Sequence, residues 1–295
     1  MNPRAGTGFV RFARIAAQLQ QRAVPYFAAS TTGPGDARTL AQLARTGDFR
    51  AIVCVGGDGT INEVVNGLLT ADGTVDPAVV LGIIPRGTAQ DFARGLGLPL
   101  TLDSAVERLL IGEEIRVDVG RIRFADGATR LFVNVVGVGF DAEVAGRAHE
   151  VRAAMSSFPA HILGFAAAFA SYQNKEISLV LDDETRSAHR SRCNMVVVAN
   201  GPYYATGMKL APDALMNDGL LDVVVIGDIP KLELLLNLPR AFAGTHLDHG
   251  EVTFQRVRRL QLDSPEGALV QADGDVVGEL PAEIDLLGQA LRVIR

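Results

Sequence analysis

Apolar positions fall into two regimes along this chain. From Phe9 to Gln20 and from Ala37 to Ala44 they recur at helical spacing, the second run following a Gly-Pro-Gly turn. Ala51–Val55 is a short unbroken apolar run, the pattern of a strand buried on both faces. A glycine-rich turn follows, then a helical pattern from Ile61 to Leu69. A second buried strand is predicted over Val79–Ile84, ending in the turn Pro85-Arg86-Gly87-Thr88 and a further helix. Strand, turn, helix and strand in that order make a βαβ unit, so a parallel sheet with helices on both faces is expected. The sequence opens on the turn Asn2-Pro3-Arg4-Ala5-Gly6, where such a domain would place a first strand.

After about Glu114 strand patterns dominate. They cover Ile115–Ile122, Leu131–Val138, Ile177–Leu181, Asn194–Val198, Leu221–Ile226, Val252–Leu262, Leu269–Ala272, Ala282–Leu287 and Leu291–Ile294. Alternating hydrophobicity with turns between runs predicts an antiparallel sandwich or barrel. Two helical inserts interrupt it, Asp141–Tyr172 (broken at Pro159) and Lys231–Phe242. The expected architecture is therefore α/β plus all-β. A three-layer α/β/α domain over 1–117 precedes a β-sandwich-type domain over 118–295, with the active site in the cleft between them.

Composition narrows the function classes. In 295 residues, 28 Lys and Arg oppose 34 Asp and Glu, a net charge of −6. No large basic footprint exists, so nucleic acid is not an expected partner. Two cysteines, each in an apolar run, read as buried thiols rather than a disulfide scaffold. No apolar leader follows Met1, and the longest apolar stretch is far short of the ~20 residues of a spanning helix. A cytoplasmic protein, at most peripheral to a membrane, is expected. Glycine is abundant, 31 of 295 against a usual ~7%, and aperiodic.

The chemistry concentrates where glycines meet acids at strand ends. Gly56-Gly57-Asp58-Gly59-Thr60 lies between a buried strand and a helix. Glycines there allow close backbone approach to an anion and positive φ, and the helix start offers free N–H groups to phosphate. The loop lacks the lysine of a Walker A site. In its own context Asp273 reads as the first residue of an Asp-Gly hairpin turn, and Asp118 as an acid within a strand.

VGGDGTINEVVNGL (55–68) and LGIIPRGTAQDFARGLGLP (81–99) resemble the catalytic domain of diacylglycerol, sphingosine and ceramide kinases, and best of all the soluble bacterial lipid kinases. Asn217-Asp218-Gly219-Leu220-Leu221-Asp222 and Asp273-Gly274-Asp275 match that family's later signatures, so the resemblance spans nearly the whole chain. It implies that Gly56, Gly57, Asp58, Gly59, Thr60, Ile61 and Asn62 wrap the phosphates of ATP, with Thr31 and Thr88 completing the nucleotide site. It implies a catalytic Mg²⁺ held by Asp58, Asp91 and Asp118, partly through water. Asp273 would be the general base. Asp218 and the carbonyls of Leu215 and Leu220 would hold a second, structural Mg²⁺.

The residue types suit that chemistry. Phosphoryl transfer depends on charge neutralisation and positioning, Mg²⁺ prefers oxygen ligands, and a carboxylate can take a lipid hydroxyl's proton. Two positions depart from the family pattern: Gln90 stands where Asn precedes the acid, and Asp275 where Glu is usual. The expected function is transfer of the γ-phosphate to a lipid hydroxyl, foremost diacylglycerol, at the membrane surface. A homodimer is compatible with this reading. The alternatives are an NAD kinase-like enzyme, which shares the Gly-Gly-Asp-Gly-Thr turn, and a catalytically lapsed nucleotide- or lipid-binding regulator. The apolar segment Met155–Phe169 reads as an acyl-chain cleft or as a packed helix.

Overall fold

A computed structural model describes residues 8–70, 79–154, 169–182 and 189–295. The opening turn and nearly all of the Met155–Phe169 segment lie outside them.

The first half builds as its apolar spacing dictates. Helices α1 (Gly8–Gln21) and α2 (Asp36–Arg45) precede β1 (Ala51–Gly56), α3 (Asp58–Leu68) and β2 (Val80–Pro85). β1 and β2 are parallel, with Ala51 opposite Val80 and Gly56 opposite Pro85. α2 and α3 bury Ala37, Ala41, Ile61, Val64 and Val65 on one face of the sheet. The other face takes Ile15 of α1 with Ala105 and Val106 of α5 (Leu102–Ile111), which gives the three layers. α5 repeats apolar residues at 102, 105, 106, 109 and 110, the helical period that buries one side. Between them lies the short α4 (Asp91–Gly95).

β3 (Glu114–Phe124) carries the same sheet onward, so position 118 lies within a continuous strand. The sheet has eight strands, including β4 (Thr129–Phe132), β6 (Lys175–Leu181), β7 (His189–Cys193), β11 (Arg259–Asp263) and β14 (Ala282–Ile294). The second sheet is antiparallel, in the order β10 (Val252–Val257), β9 (Leu221–Ile226), β8 (Met195–Ala199), β5 (Val135–Gly139), β12 (Leu269–Ala272), β13 (Asp275–Glu279). Between the two sheets Ile122, Phe132, Val136, Val198, Leu260 and Ile284 form an apolar sandwich core. On the outer face of the second sheet, Val197 and Val224 pack against Phe140, which starts α6 (Phe140–Ala154), and against Leu234 of α7 (Lys231–Ala243).

Three strand expectations are corrected. Leu131–Val138 is two strands in different sheets, because the N–H groups of Val133, Asn134 and Val135 leave the ladder for the carboxylate of Asp273. Val252–Leu262 likewise divides, at Arg258, whose N–H donates to Asp182 Oδ1. Conversely, Ala282–Leu287 and Leu291–Ile294 are one strand with a bulge. It pairs with β3 on both sides of the register shift, and its end reaches β2, Val293 opposite Leu81. β7 and β13 add two strands without an apolar alternation in sequence. Both cysteines are buried thiols.

Candidate functional site

Two turns meet at the ends of β1 and β2. The Arg86 N–H donates to Gly56 O at 2.7 Å, which locks them together. A Cβ on Gly57 would lie 2.9 Å from Arg86 O, and one on Gly87 would lie 3.0 Å from Gly57 Cα. A Cβ on Gly56 would meet the Thr60 side chain at 2.7 Å. Gly57 has φ −95°, and none of Gly56, Gly57, Gly59 and Gly87 adopts positive φ. The expected positive φ is thus corrected: these glycines serve close packing of one turn on the other. Gly59 differs, since space around its missing Cβ is open. Thr88 is exposed beside it in sequence to Gly87. Ile61 is core, not surface, at 1% exposure. Thr31 and Thr60 line the rim of an otherwise apolar cavity of about 270 Å³ between α2 and β1.

Acids cluster around these turns. Asp58, in the first turn of α3, accepts the Phe92 N–H at 3.0 Å and so caps α4. Asp91 starts α4, buried, with Oδ2 accepting from Thr206 N at 3.2 Å and Oδ1 without a partner among the described residues. Burial foremost, then the neighbouring Asp58 charge, pushes the Asp91 carboxyl up to about 6. Asp118 is fully buried elsewhere in the bonding network. Its oxygens accept the Gly219 N–H at 2.8 Å and the Gln289 N–H at 2.6 Å, while its own N–H donates to Met216 O. Asp118 therefore shapes the loop carrying Leu215, Asp218 and Leu220, where Asp218 accepts the Leu220 N–H and stays exposed. Among the described residues, no three His, Cys, Asp or Glu side chains converge as a metal cluster.

Asp273 occupies the tip of the β12–β13 hairpin, with Ala272 opposite Asp275. Asp273 and Gly274 have φ +49° and +96°, the two positive values a type I′ turn requires. The hairpin reading and the functional one coincide in this residue. Its carboxylate accepts four hydrogen bonds. Val133 N and the Asn62 amide reach Oδ2 at 2.8 and 2.7 Å; Asn134 N and Val135 N reach Oδ1 at 2.9 and 3.0 Å. Burial pushes the carboxyl above its ordinary value, and these donors pull against it. Asn62 and Asn66 of α3 both donate to Leu131 O, and Asn66 accepts from Leu131 N, which fastens α3 to β4.

Sequence reasoning missed a second set of residues. Gln271, fully buried, donates to Asp141 Oδ2 at 3.0 Å and accepts the Gly274 N–H at 2.8 Å. Tyr204 donates to the same Asp141 oxygen at 3.3 Å, leaving Oδ1 without a described partner. A Cβ on Gly137 would collide with Asp141, so the glycine keeps that space for the carboxylate. Burial pushes Asp141 up to about 6. Its sequence signal was an acid opening a helix, indistinguishable from a surface helix start.

Residues 1–122 match the family model of the diacylglycerol kinase catalytic domain. Residues 134–295 match that of the YegS C-terminal NAD kinase beta sandwich-like domain. A Mycobacterium tuberculosis protein named diacylglycerol kinase is 32% identical over 297 residues, covering 100% of this chain and 93% of its own. A Bacillus subtilis diacylglycerol kinase is 27% identical, covering 99% and 94%. A crystal structure from Bacillus anthracis str. Sterne has the same fold, with TM-score 0.79 at 22% identity and coverage of 99% and 94%.

Proposed function

The chain belongs to the family that joins a diacylglycerol kinase catalytic domain to a YegS-type β-sandwich domain, and from that premise we propose that it is an ATP- and Mg²⁺-dependent kinase of lipid hydroxyls, foremost diacylglycerol. In this reading 1–117 takes the nucleotide and 118–295 the lipid, at a membrane surface. The observation that carries it is the junction of the glycine-rich helix with Asp273 through Asn62.

The backbone from Gly56 to Asn62, with Thr31 and Thr88, receives the phosphates at the start of α3, where the N-cap residue Gly57 makes no side-chain cap and Gly59 leaves room. Asp91 Oδ1, buried and without a described partner beside Asp58, fits a hard cation that takes one or two carboxylates and keeps its waters. By the resemblance Asp118 would join that set through water, while its oxygens also accept the Gly219 and Gln289 N–H groups. Mg²⁺, when bound, neutralises charge on the transferring phosphoryl group. Asp218 with the Leu215 and Leu220 carbonyls is the proposed structural site.

Asp273 accepts the proton of the lipid hydroxyl as its oxygen attacks the γ-phosphorus and the bond from that phosphorus to the β–γ bridging oxygen breaks, releasing ADP. Three of its four donors are main-chain groups and fixed. Only the Asn62 amide can yield, so the hydroxyl meets Oδ2. Purified protein with labelled ATP, Mg²⁺ and a panel of dispersed lipid alcohols should give a labelled phospholipid, with phosphatidic acid the main product. If no lipid alcohol becomes labelled while NAD does, the NAD kinase-like reading replaces this one.

A further inference from the structure

Helix α7 turns an apolar face to solvent. Leu232 and Leu236 are 67% and 71% exposed, and Leu235 and Phe242 are 43% and 45% exposed. With Pro239 and Ala243, also exposed, they occupy one stripe at 3.6 residues per turn. The opposite side is anchored: Leu234 is buried in the cluster over the second sheet, and Ala241 packs against it. The core therefore does not account for the stripe. Sequence alone predicts the helix but not which of its leucines face outward.

Charge selects the occupant. Positions 231 and 240 fall on the two borders of the stripe, and both are cations, Lys231 and Arg240. The single acid of α7, Glu233, is engaged by His249 at 3.0 Å. An apolar stripe between basic borders is the pattern of a helix lying in a lipid headgroup layer, with long cationic side chains reaching anionic phosphates. Lys231 Nζ also donates to Ala170 O at 2.8 Å, and Asn174 donates to Asp228 at 2.7 Å just before the helix. The helix start is thus tied to the segment ending at Tyr172.

We infer that the exposed face of α7 is a docking surface for an anionic lipid bilayer. This deepens the lipid-kinase reading and rests on it for the reason a bilayer should be met at all. The binding itself can be measured without ATP or turnover. The chain contains no tryptophan, so Leu236→Trp creates a single reporter on the stripe. With phosphatidylcholine vesicles containing phosphatidylglycerol, its emission should move to shorter wavelength. With phosphatidylcholine alone the shift should be weaker. Leu232→Glu/Leu236→Glu and, separately, Lys231→Gln/Arg240→Gln should each reduce co-sedimentation with the mixed vesicles by roughly tenfold or more. Both should keep the circular dichroism melt and the activity toward a short-chain acceptor dispersed without vesicles. An unmoved tryptophan spectrum, or undiminished vesicle binding in the leucine variant, overturns the inference. So does a leucine variant whose only change is from dimer to monomer by light scattering. A protein that binds vesicles but phosphorylates no lipid would overturn the functional reading and leave the surface standing.

Discussion

The amide of Asn62 donates to Asp273 Oδ2 at 2.7 Å, across 211 residues of sequence, and ties the helix of the glycine-rich turn to the hairpin tip of the second domain. The same amide donates to Leu131 O, so it keeps a partner when it yields Oδ2 to a hydroxyl. Asn62→Ala removes one donor from the carboxylate and frees α3 from β4 at one point. Turnover should fall about tenfold with the KM for ATP little changed, because the phosphates meet the backbone of this helix rather than that amide. Losing a donor also raises the Asp273 pKa, so the acidic limb of the pH–rate profile should move to higher pH. A faster enzyme would instead mean that Asn62 only competes with the lipid hydroxyl.

Asp273→Asn tests the base itself, and its interpretation requires a stability measurement. An amide can accept on one side only. Its NH₂ would face Val133 N or Asn62 on one side, or Asn134 N and Val135 N on the other. The substitution should cost roughly 1–3 kcal/mol through opposed donors and abolish turnover. Adding Asn62→Asp gives the new amide an acceptor. The double variant should recover part of the lost stability in urea unfolding and none of the turnover. Recovery of turnover would show that a carboxylate on α3 serves equally well.

Much of this architecture was legible in the sequence, where order is set by neighbours. The run at 79–84 is apolar throughout because both its faces are covered, whereas the equally apolar run at 51–55 is a strand that leaves Val53 40% exposed, which corrects the expectation of cover on both its faces. The Asp273-Gly274 pair announced its I′ turn. The break at Val133–Asn134 was hidden, since Leu131–Val138 is apolar except for one residue and the interrupting carboxylate lies about 140 positions away. β7 reads His-Arg-Ser-Arg-Cys and β13 is largely exposed; edge strands that bury little carry no period. Among site residues, Asp58, Asp91, Asp118, Asp218 and Asp273 could be found by motif, whereas Asp141 with its partners Gln271 and Tyr204, and Asn200, could not. Asn200 donates to Asp118 O and Val133 O through main-chain geometry that only the folded sheets create.

Glycines of the first turn should separate by role. Gly57→Ala drives a Cβ to 2.9 Å from the Arg86 carbonyl, a backbone atom that cannot rotate aside. It should destabilise the protein by roughly 1–3 kcal/mol with or without nucleotide. Gly59→Ala meets nothing within 4 Å and sits in the first turn of α3. It should stabilise the free protein by up to about 1 kcal/mol through helix propensity. If phosphates occupy that open space, the same methyl should raise the KM for ATP. Unchanged nucleotide affinity in Gly59→Ala would move the phosphates away from this turn.

Asp141 makes a pH prediction with a definite sign. Its carboxyl is held at about 6 by burial, against an ordinary value of 3.8, so between those values the folded protein binds a proton that the unfolded chain has released. Stability from this group is full below about pH 4 and is lost as pH rises through 6. Above that, the fold carries a buried, ionised group with one oxygen lacking a described partner. Asp141→Asn keeps an acceptor for Gln271 and Tyr204 and cannot ionise. The variant should match the parent near pH 4 and exceed it by roughly 1–3 kcal/mol above about pH 7, the ceiling being two pKa units at about 1.4 kcal/mol each. Urea unfolding at a series of pH values reads the difference directly. A gap independent of pH would show that Asp141 is ionised throughout, with Gln271 and Tyr204 outweighing burial.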